Sequence, residues 1–224
     1  VKSRNDRDWD KALASMIDHT LLKAEARDDD VSEACRQALH FGFASVVVFP
    51  SWISLAREEL GDSGIAVCSV LSFPFGAELP GAKAAAAENL LKAGASEIDM
   101  VMNIGAFLSG RMRTVREELG LVRKSCGTEA VIKLIIETAY LDSGGIKKAA
   151  DMGVEAGFNF IKTSTGFASQ GATIEDVGLI SSVVGGRAGV KASGGIKTRS
   201  GALALVKAGA TRLGCSSSIS VVTI

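Results

Sequence analysis

Short apolar runs alternate with longer amphipathic stretches along nearly the whole chain. Residues 46–48, 65–71, 98–102, 130–136, 160–161 and 188–191, and the single Leu213, mark the apolar runs, and 16–20 reads as a further strand before them. Between them, residues 28–39, 82–92, 114–124, 145–152 and 173–184 carry apolar side chains at helical spacing, and 6–15 predicts a helix before the first strand. Short strands alternating with helices predict a parallel sheet covered by helices.

A repeated joint sharpens this picture. A predicted helix ends at Gly42, Gly94, Gly157 and Gly209, and an apolar run follows each within a few residues. Glycine just past a helix accepts the left-handed conformation that closes it, so these are helix-to-strand turns. Counting five residues on from each glycine gives Val47, Asp99, Lys162 and Gly214, which should stand at similar heights on strands two, four, six and eight. In a (β/α)8 barrel alternate strands share a layer, which would put Asp99, Lys162 and Gly214 in one ring. The expected fold is therefore a TIM (β/α)8 barrel with an N-terminal helix, one domain over residues 1–224. An open doubly wound sheet is the alternative, but no G-x-G-x-x-G follows the first strand.

Composition narrows the partners. Lysine plus arginine equals aspartate plus glutamate at 25 each, so no bulk field favours nucleic acid. The first ten residues are too charged for a secretory signal and no apolar run approaches the roughly 20 residues that span a bilayer, which leads to the expectation of a soluble, cytoplasmic protein without a membrane partner. Cys35, Cys68, Cys126 and Cys215 form no C-x-x-C pair and no zinc-ligand spacing, so neither metal nor disulfide is expected.

The chemistry concentrates at the ends of the predicted strands. Lys162 follows Phe160-Ile161 and precedes Thr163-Ser164-Thr165-Gly166, a position from which a lysine cannot easily reach bulk water. Either it is paired with a carboxylate or it is kept partly neutral for chemistry. Lowering a lysine pKa from about 10.4 to roughly 7–8 takes about 4 kcal/mol of differential interaction, which burial and a neighbouring cation can both provide. Lys191, at the end of the next strand, is the candidate neighbour; Lys133 and Asp99 are expected near the same rim, where barrel enzymes hold their active sites. The glycine-rich segments Ser193-Gly194-Gly195 and Gly214-Cys215-Ser216-Ser217-Ser218 follow the last two strands, where barrels often bind phosphate, with Gly166 as a third strip and Lys197 as a formal charge. His19, on the opposite face of its strand from Asp18, reads as a packed or hydrogen-bonded histidine, and His40 as a helix-terminal one.

Five segments together are specific enough to name a family. Ile17-Asp18-His19-Thr20-Leu21-Leu22-Lys23, Phe73-Pro74-Phe75-Gly76, Glu97-Ile98-Asp99-Met100-Val101, Phe160-Ile161-Lys162-Thr163-Ser164-Thr165-Gly166 and Val190-Lys191-Ala192-Ser193-Gly194-Gly195-Ile196-Lys197 resemble deoxyribose-phosphate aldolase, in order, over residues 17–217. The resemblance implies a class I aldolase without metal or cofactor that cleaves 2-deoxy-D-ribose 5-phosphate to glyceraldehyde 3-phosphate and acetaldehyde. It implies Lys162 as the Schiff-base lysine, Asp99 and Lys191 as the proton-relaying pair, Asp18 and Thr20 at the sugar, and Gly166, Gly194, Gly195, Gly214, Ser216 and Ser217 around the phosphate. Lys133 is expected to extend the relay and is grouped with the substrate-binding residues. The family also implies a homodimer. One departure is Phe167, where some relatives carry lysine, so phosphate binding should lean on backbone donors and Lys197. A different Schiff-base aldolase and a catalytically silent phosphosugar-binding barrel are the rival readings.

Overall fold

In the computed structural model, which describes residues 8–224, eight parallel strands close on themselves in sequence order. They are β1 (Ile17–Leu21), β2 (Ser45–Val48), β3 (Ala66–Leu71), β4 (Glu97–Val101), β5 (Val131–Ile135), β6 (Phe160–Lys162), β7 (Gly189–Ser193) and β8 (Arg212–Cys215). The expected (β/α)8 barrel is present, and pairing of β1 with β8 through Asp18 and Gly214 closes it.

The covering helices are α2 (Asp28–Phe41), α3 (Ile53–Leu60), α4 (Pro80–Lys92), the short α5 (Ile104–Leu108), α6 (Met112–Cys126), α7 (Ser143–Glu155), α8 (Ile174–Val184) and α9 (Arg199–Lys207), and the five amphipathic stretches correspond to α2, α4, α6, α7 and α8. Their inner faces and the outward-pointing strand residues, such as Val46, Ile98, Leu134, Ile161 and Leu213, form one continuous apolar core between sheet and helices. Asp28, Asp29 and Asp30 occupy the first turn of α2, at the positive end of its dipole, and Gly42 closes that helix at φ 70°. Gly94, Gly157 and Gly209 take positive φ at the equivalent joints.

The N-terminal helix is shorter than the periodicity suggests. Asp10 accepts from the Leu13 N–H and starts α1 at Lys11–Ala14. Upstream of it, Trp9 pairs with Thr223 as an isolated antiparallel bridge, so this part of the predicted helix is extended instead. Asp6 and Arg7, the start of that predicted helix, lie outside the described residues.

One buried ion pair fixes the loops on the far side of the barrel mouth. Lys83 of α4 and Glu118 of α6 are 3.0 Å apart with neither side chain exposed. The Lys83 ammonium also donates to the carbonyls of Gly76 and Val101, at 2.8 and 3.0 Å, and Glu118 accepts from the Asn103 N–H. Burial moves Lys83 below and Glu118 above their ordinary pKa values in spite of their mutual attraction. The pair therefore fixes geometry more than it adds net stability. Gly76 must be glycine here, since its φ is 67° and a Cβ would stand 2.0 Å from the Met102 carbonyl oxygen.

Replacing Lys83 by Met leaves a buried carboxylate and two carbonyls without their donor. Urea unfolding should show a loss of about 3–5 kcal/mol, and the double replacement Lys83→Met with Glu118→Leu should recover most of it.

Candidate active site

Alternation along the strands sends every second residue into the barrel. In most small barrels such positions are filled with branched apolar side chains. Here the apolar filling is confined to two patches towards the mouth, Val47, Cys68 and Val70 on one side and Val101, Ile104 and Ile135 on the other, with Phe73 touching both. The rest of the interior is ionic. Lys133 and Lys191 are among the largest fully buried side chains in the protein.

Asp99 stands at the centre of this ionic layer. Its Oδ2 accepts from Lys162 Nζ at 2.7 Å and from Lys191 Nζ at 2.6 Å, while its Oδ1 accepts from Lys133 Nζ at 2.9 Å. Lys191 also lies 2.5 Å from Asp18 Oδ2, and Lys133 lies 2.6 Å from Glu97 Oε2. Arg212 donates to Asp18 Oδ1 at 2.7 Å and reaches Glu97 at 3.5 Å, and the Ser45 hydroxyl donates to Asp18. Four cations thus face three carboxylates. Below them, the Arg212 guanidinium lies over the Phe160 ring, for which Gly189 leaves the space that a Cβ would fill.

The imbalance falls on Lys162. Burial, and then the Lys191 charge, lower its pKa against the pull of Asp99. Lys133 and Lys191 are moved the other way: burial opposes their charge, but Asp99, Asp18 and, for Lys133, Glu97 outweigh it and hold both ammonium groups. Asp99 is kept well below the carboxylate range by Lys133, Lys162 and Lys191 in spite of its burial. The site therefore contains one lysine biased towards the neutral, nucleophilic form, hydrogen-bonded to an ionised carboxylate that a charged lysine shares. Gly214 is what lets Lys191 cross the barrel, because a Cβ there would sit 3.2 Å from Lys191 Cε and 3.0 Å from Ser193 Cβ.

Above this layer opens a cavity of about 280 Å³, with Lys162 on its floor at 4% exposure. The structure brings to its wall Thr20, Gly166, Gly194, Gly195, Lys197, Gly214, Ser216 and Ser217, together with Leu22, Lys23, Thr165, Phe167, Ser193, Ile196 and Cys215. Gly166, Gly194 and Gly195 have φ of 89°, 88° and 77°. The loops after β6 and β7 meet glycine to glycine, with the Ala172 N–H donating to the carbonyls of Ser193 and Gly194 and a Cβ on Gly171 excluded by the Gly194 carbonyl at 2.2 Å. Among the described residues, no protein acceptor receives the backbone N–H of Gly166, Gly194, Gly195, Ser216 or Ser217. Three adjacent loops thus bring amides without protein acceptors to one cavity, the kind of donor set that can receive an anion.

Two sequence expectations need correction. Asp18 does not line the cavity: it is fully buried beneath it and its oxygens are taken by Arg212, Lys191 and Ser45. Lys133 is likewise fully buried among Asp99, Glu97 and Cys68, beneath the floor and off the cavity wall. Neither Glu97 nor Arg212 was singled out from the sequence; their inward parity on β4 and β8 was the available signal. His19 is buried on the helix side of β1, within 2.8 Å of Ser218 Oγ and 2.9 Å of Gln37 Oε1, as its parity suggests. Among the described residues no group of three His, Cys, Asp or Glu side chains is placed to hold a metal ion, and no helix is long and apolar enough to cross a membrane.

The profile described as DeoC/LacD family aldolase matches residues 12–217. The chain belongs to this family. Among curated relatives, the aldolase is 44% identical over 213 residues to deoxyribose-phosphate aldolase of Halalkalibacterium halodurans, covering 95% of both chains. It is 47% identical over 212 residues to that of Carboxydothermus hydrogenoformans, covering 93% of both. Among solved structures, a deoxyribose phosphate aldolase from Aeropyrum pernix, described as tetrameric, superposes with a TM-score of 0.83 at 34% identity over 94% of this chain and 89% of that one.

The charge balance in the aldolase makes a pH prediction with a definite sign. In Lys191→Met, Lys162 loses the cation that opposes its own charge and gains a larger share of Asp99. Its pKa should rise, so the acid limb of a kcat/KM profile should move to higher pH, by at least one unit on the scale of close charge pairs. An unmoved or lowered limb would show that Lys191 does not set the charge of Lys162.

Proposed function

We propose that this aldolase cleaves 2-deoxy-D-ribose 5-phosphate to acetaldehyde and glyceraldehyde 3-phosphate, and runs the reverse addition, through an imine on Lys162. The observation that carries this is Lys162 itself: one lysine with a lowered pKa on the floor of a cavity, 2.7 Å from a carboxylate that Lys191 also holds. The named relatives and the anion-sized loop cluster support the phosphosugar as substrate.

Neutral Lys162 adds to the C1 aldehyde of the open-chain sugar, and loss of water leaves an iminium. As a proton leaves the C3 hydroxyl, the C2–C3 bond breaks, its electrons pass to the iminium nitrogen, and glyceraldehyde 3-phosphate departs. The remaining enamine takes a proton at C2, and water then releases acetaldehyde and restores the amine. Asp99 and Lys191 are the proton carriers, since both stand within hydrogen-bond distance of the Lys162 nitrogen or of each other. They lie beneath the floor and not on the cavity wall, so their protons reach the substrate by way of the Lys162 nitrogen or a water beside it. The phosphate rests on the free amides of Gly166, Gly194, Gly195, Ser216 and Ser217, with Lys197 for charge and Thr20 on the sugar side of the cavity.

Borohydride reduction in the presence of acetaldehyde should add an ethyl group to Lys162 and to no other lysine. Lys162→Met should stay folded, lose the label, and lose essentially all turnover, while acetaldehyde release from deoxyribose 5-phosphate identifies the substrate for the wild type. Labelling without that release would leave a different Schiff-base aldolase; no labelling would leave a binding barrel. A second expectation separates the relay from the nucleophile. Asp99→Asn should label more readily at low pH, because Lys162 loses the charge that holds its proton, yet turn over at about 1% of the wild-type rate or less.

A cytoplasmic location and a homodimer belong to the same reading. The four free, buried cysteines suit a reducing compartment.

A further inference from the structure

A second buried carboxylate stands beside the cavity and has no part in the ionic layer. Glu137 follows β5 and is 2% exposed. Among the described residues it has no cationic partner within ion-pair distance, which is unusual for a buried carboxylate. Its φ is 52° and its ψ 73°, a left-handed backbone that a residue with a Cβ adopts when its surroundings hold it there. Both donors of one residue satisfy it. The Thr165 N–H lies 3.1 and 3.3 Å from its two oxygens, and the Thr165 hydroxyl donates to Oε2 in a short hydrogen bond.

Thr165 is the third residue after Lys162 and lines the cavity. Its Oγ1 also accepts from the Phe167 N–H at 3.0 Å, closing a turn around Gly166. The next residue of Glu137's own turn ties the same loop from below, as the Thr138 N–H donates to the Thr163 carbonyl at 3.0 Å. With both Thr165 donors turned down onto Glu137 and the Phe167 amide turned back onto Thr165, the Gly166 amide between them is left without a protein acceptor on the cavity wall.

We propose that Glu137 is a positioning residue for phosphate recognition, acting through Thr165 to aim the Gly166 amide into the anion site. It touches no reacting atom. It selects for the phosphorylated end of a substrate by fixing one of the three loops that hold that end, and the loop's attachment to β6 leaves Lys162 where the strand puts it. This inference rests on the phosphosugar reading of the cavity.

The test uses Glu137→Ala, Glu137→Gln and Thr165→Val in the full chain. Calorimetric titration with inorganic phosphate measures the anion site without turnover. Kinetics with 2-deoxyribose 5-phosphate and with unphosphorylated 2-deoxyribose separate phosphate recognition from chemistry. Losing hydrogen bonds to a charged group at this site should weaken phosphate binding, and raise KM for the phosphorylated sugar, about ten- to hundredfold in Glu137→Ala and Thr165→Val. In Glu137→Ala, turnover of the unphosphorylated sugar and borohydride labelling of Lys162 should stay within about threefold of wild type. Glu137→Gln keeps an acceptor for both Thr165 donors and should recover most of the affinity, and the double variant Glu137→Ala with Thr165→Val should be no worse than the poorer single one.

Unchanged phosphate affinity in Thr165→Val overturns the proposal even if Glu137→Ala fails to fold. So does a parallel loss with both sugars, which marks a merely structural carboxylate, or a Gln variant as impaired as the Ala variant. A wild type that binds phosphate but does not cleave deoxyribose 5-phosphate refutes the functional reading alone, and the calorimetry then decides on Glu137. A wild type that binds no phosphate overturns the proposal for Glu137, while the cleavage assay alone decides the functional reading.

Discussion

The interior of this barrel contains one more cation than carboxylate, and these charged groups are almost wholly buried. Lys133, Lys162, Lys191 and Arg212 face Asp18, Glu97 and Asp99, all at or near zero exposure except the partly covered Arg212. In such a setting an unmatched charge is costly, and the cheapest relief is for one lysine to give up its proton. Geometry decides which. Lys133 has three carboxylates within 4 Å and Lys191 has two, whereas Lys162 has one oxygen of Asp99 and shares it. Lys162 is also the one next to the cavity, so the lysine whose charge is least favoured is the one that an aldehyde can reach.

The barrel is what keeps this arrangement from relaxing. In a flexible site, three lysines around one aspartate would separate until water screened them. Here each is anchored on a different strand, and the ladder from β4 through β8 fixes Asp99 beside Lys133 and Lys162 beside Lys191 in register. Small residues make the packing sterically feasible: Gly214 passes Lys191, and Gly189 admits Phe160 as the plug under Arg212. At the other side of the mouth Phe73 packs between two apolar patches and meets Phe167 edge-on at 5.3 Å. That wall is held by the Lys83–Glu118 pair through the Gly76 carbonyl. Phe167, where some relatives carry lysine, is therefore part of the apolar wall, which leaves backbone amides and Lys197 as the groups that could meet an anion in this cavity.

Much of this was legible in the sequence because it is periodic. The four glycine joints set strand order and height, and the count of five residues from each joint put Asp99 and Lys162 in one layer, which their 2.7 Å contact confirms. The glycine-rich strand ends pointed to the loops that now line the cavity. What stayed hidden depends on depth and not on periodicity. Asp18 and Lys133 share inward parity with the cavity residues, and nothing in a linear pattern distinguishes an inward residue under the floor from one above it. Strand tilt decides that, and it emerges only once the sheet closes. Glu97 and Arg212 were missed for a related reason: each looks like an ordinary charged strand terminus until the partner strand is known. Glu137 was missed because its role depends on a backbone turn that no residue preference announces.

The site thus divides its two tasks between two kinds of structure. The proposed bond-making chemistry sits on strands, where hydrogen-bonded ladders keep the Lys162, Asp99 and Lys191 nitrogens and oxygens within hydrogen-bond distance. The proposed recognition sits on loops, whose free amides are held in place by the backbone around them. Internal hydrogen bonds just behind the cavity wall do this holding, from the Thr163 hydroxyl to the Ser193 carbonyl and from the Ser193 hydroxyl to the Ser164 carbonyl. A buried carboxylate with no counter-cation, such as Glu137, is tolerable in that position for the same reason: its charge is met entirely by donors that would otherwise compete for the ligand. Placed among the lysines beneath the floor, the same carboxylate would have removed the excess positive charge that helps to lower the Lys162 pKa.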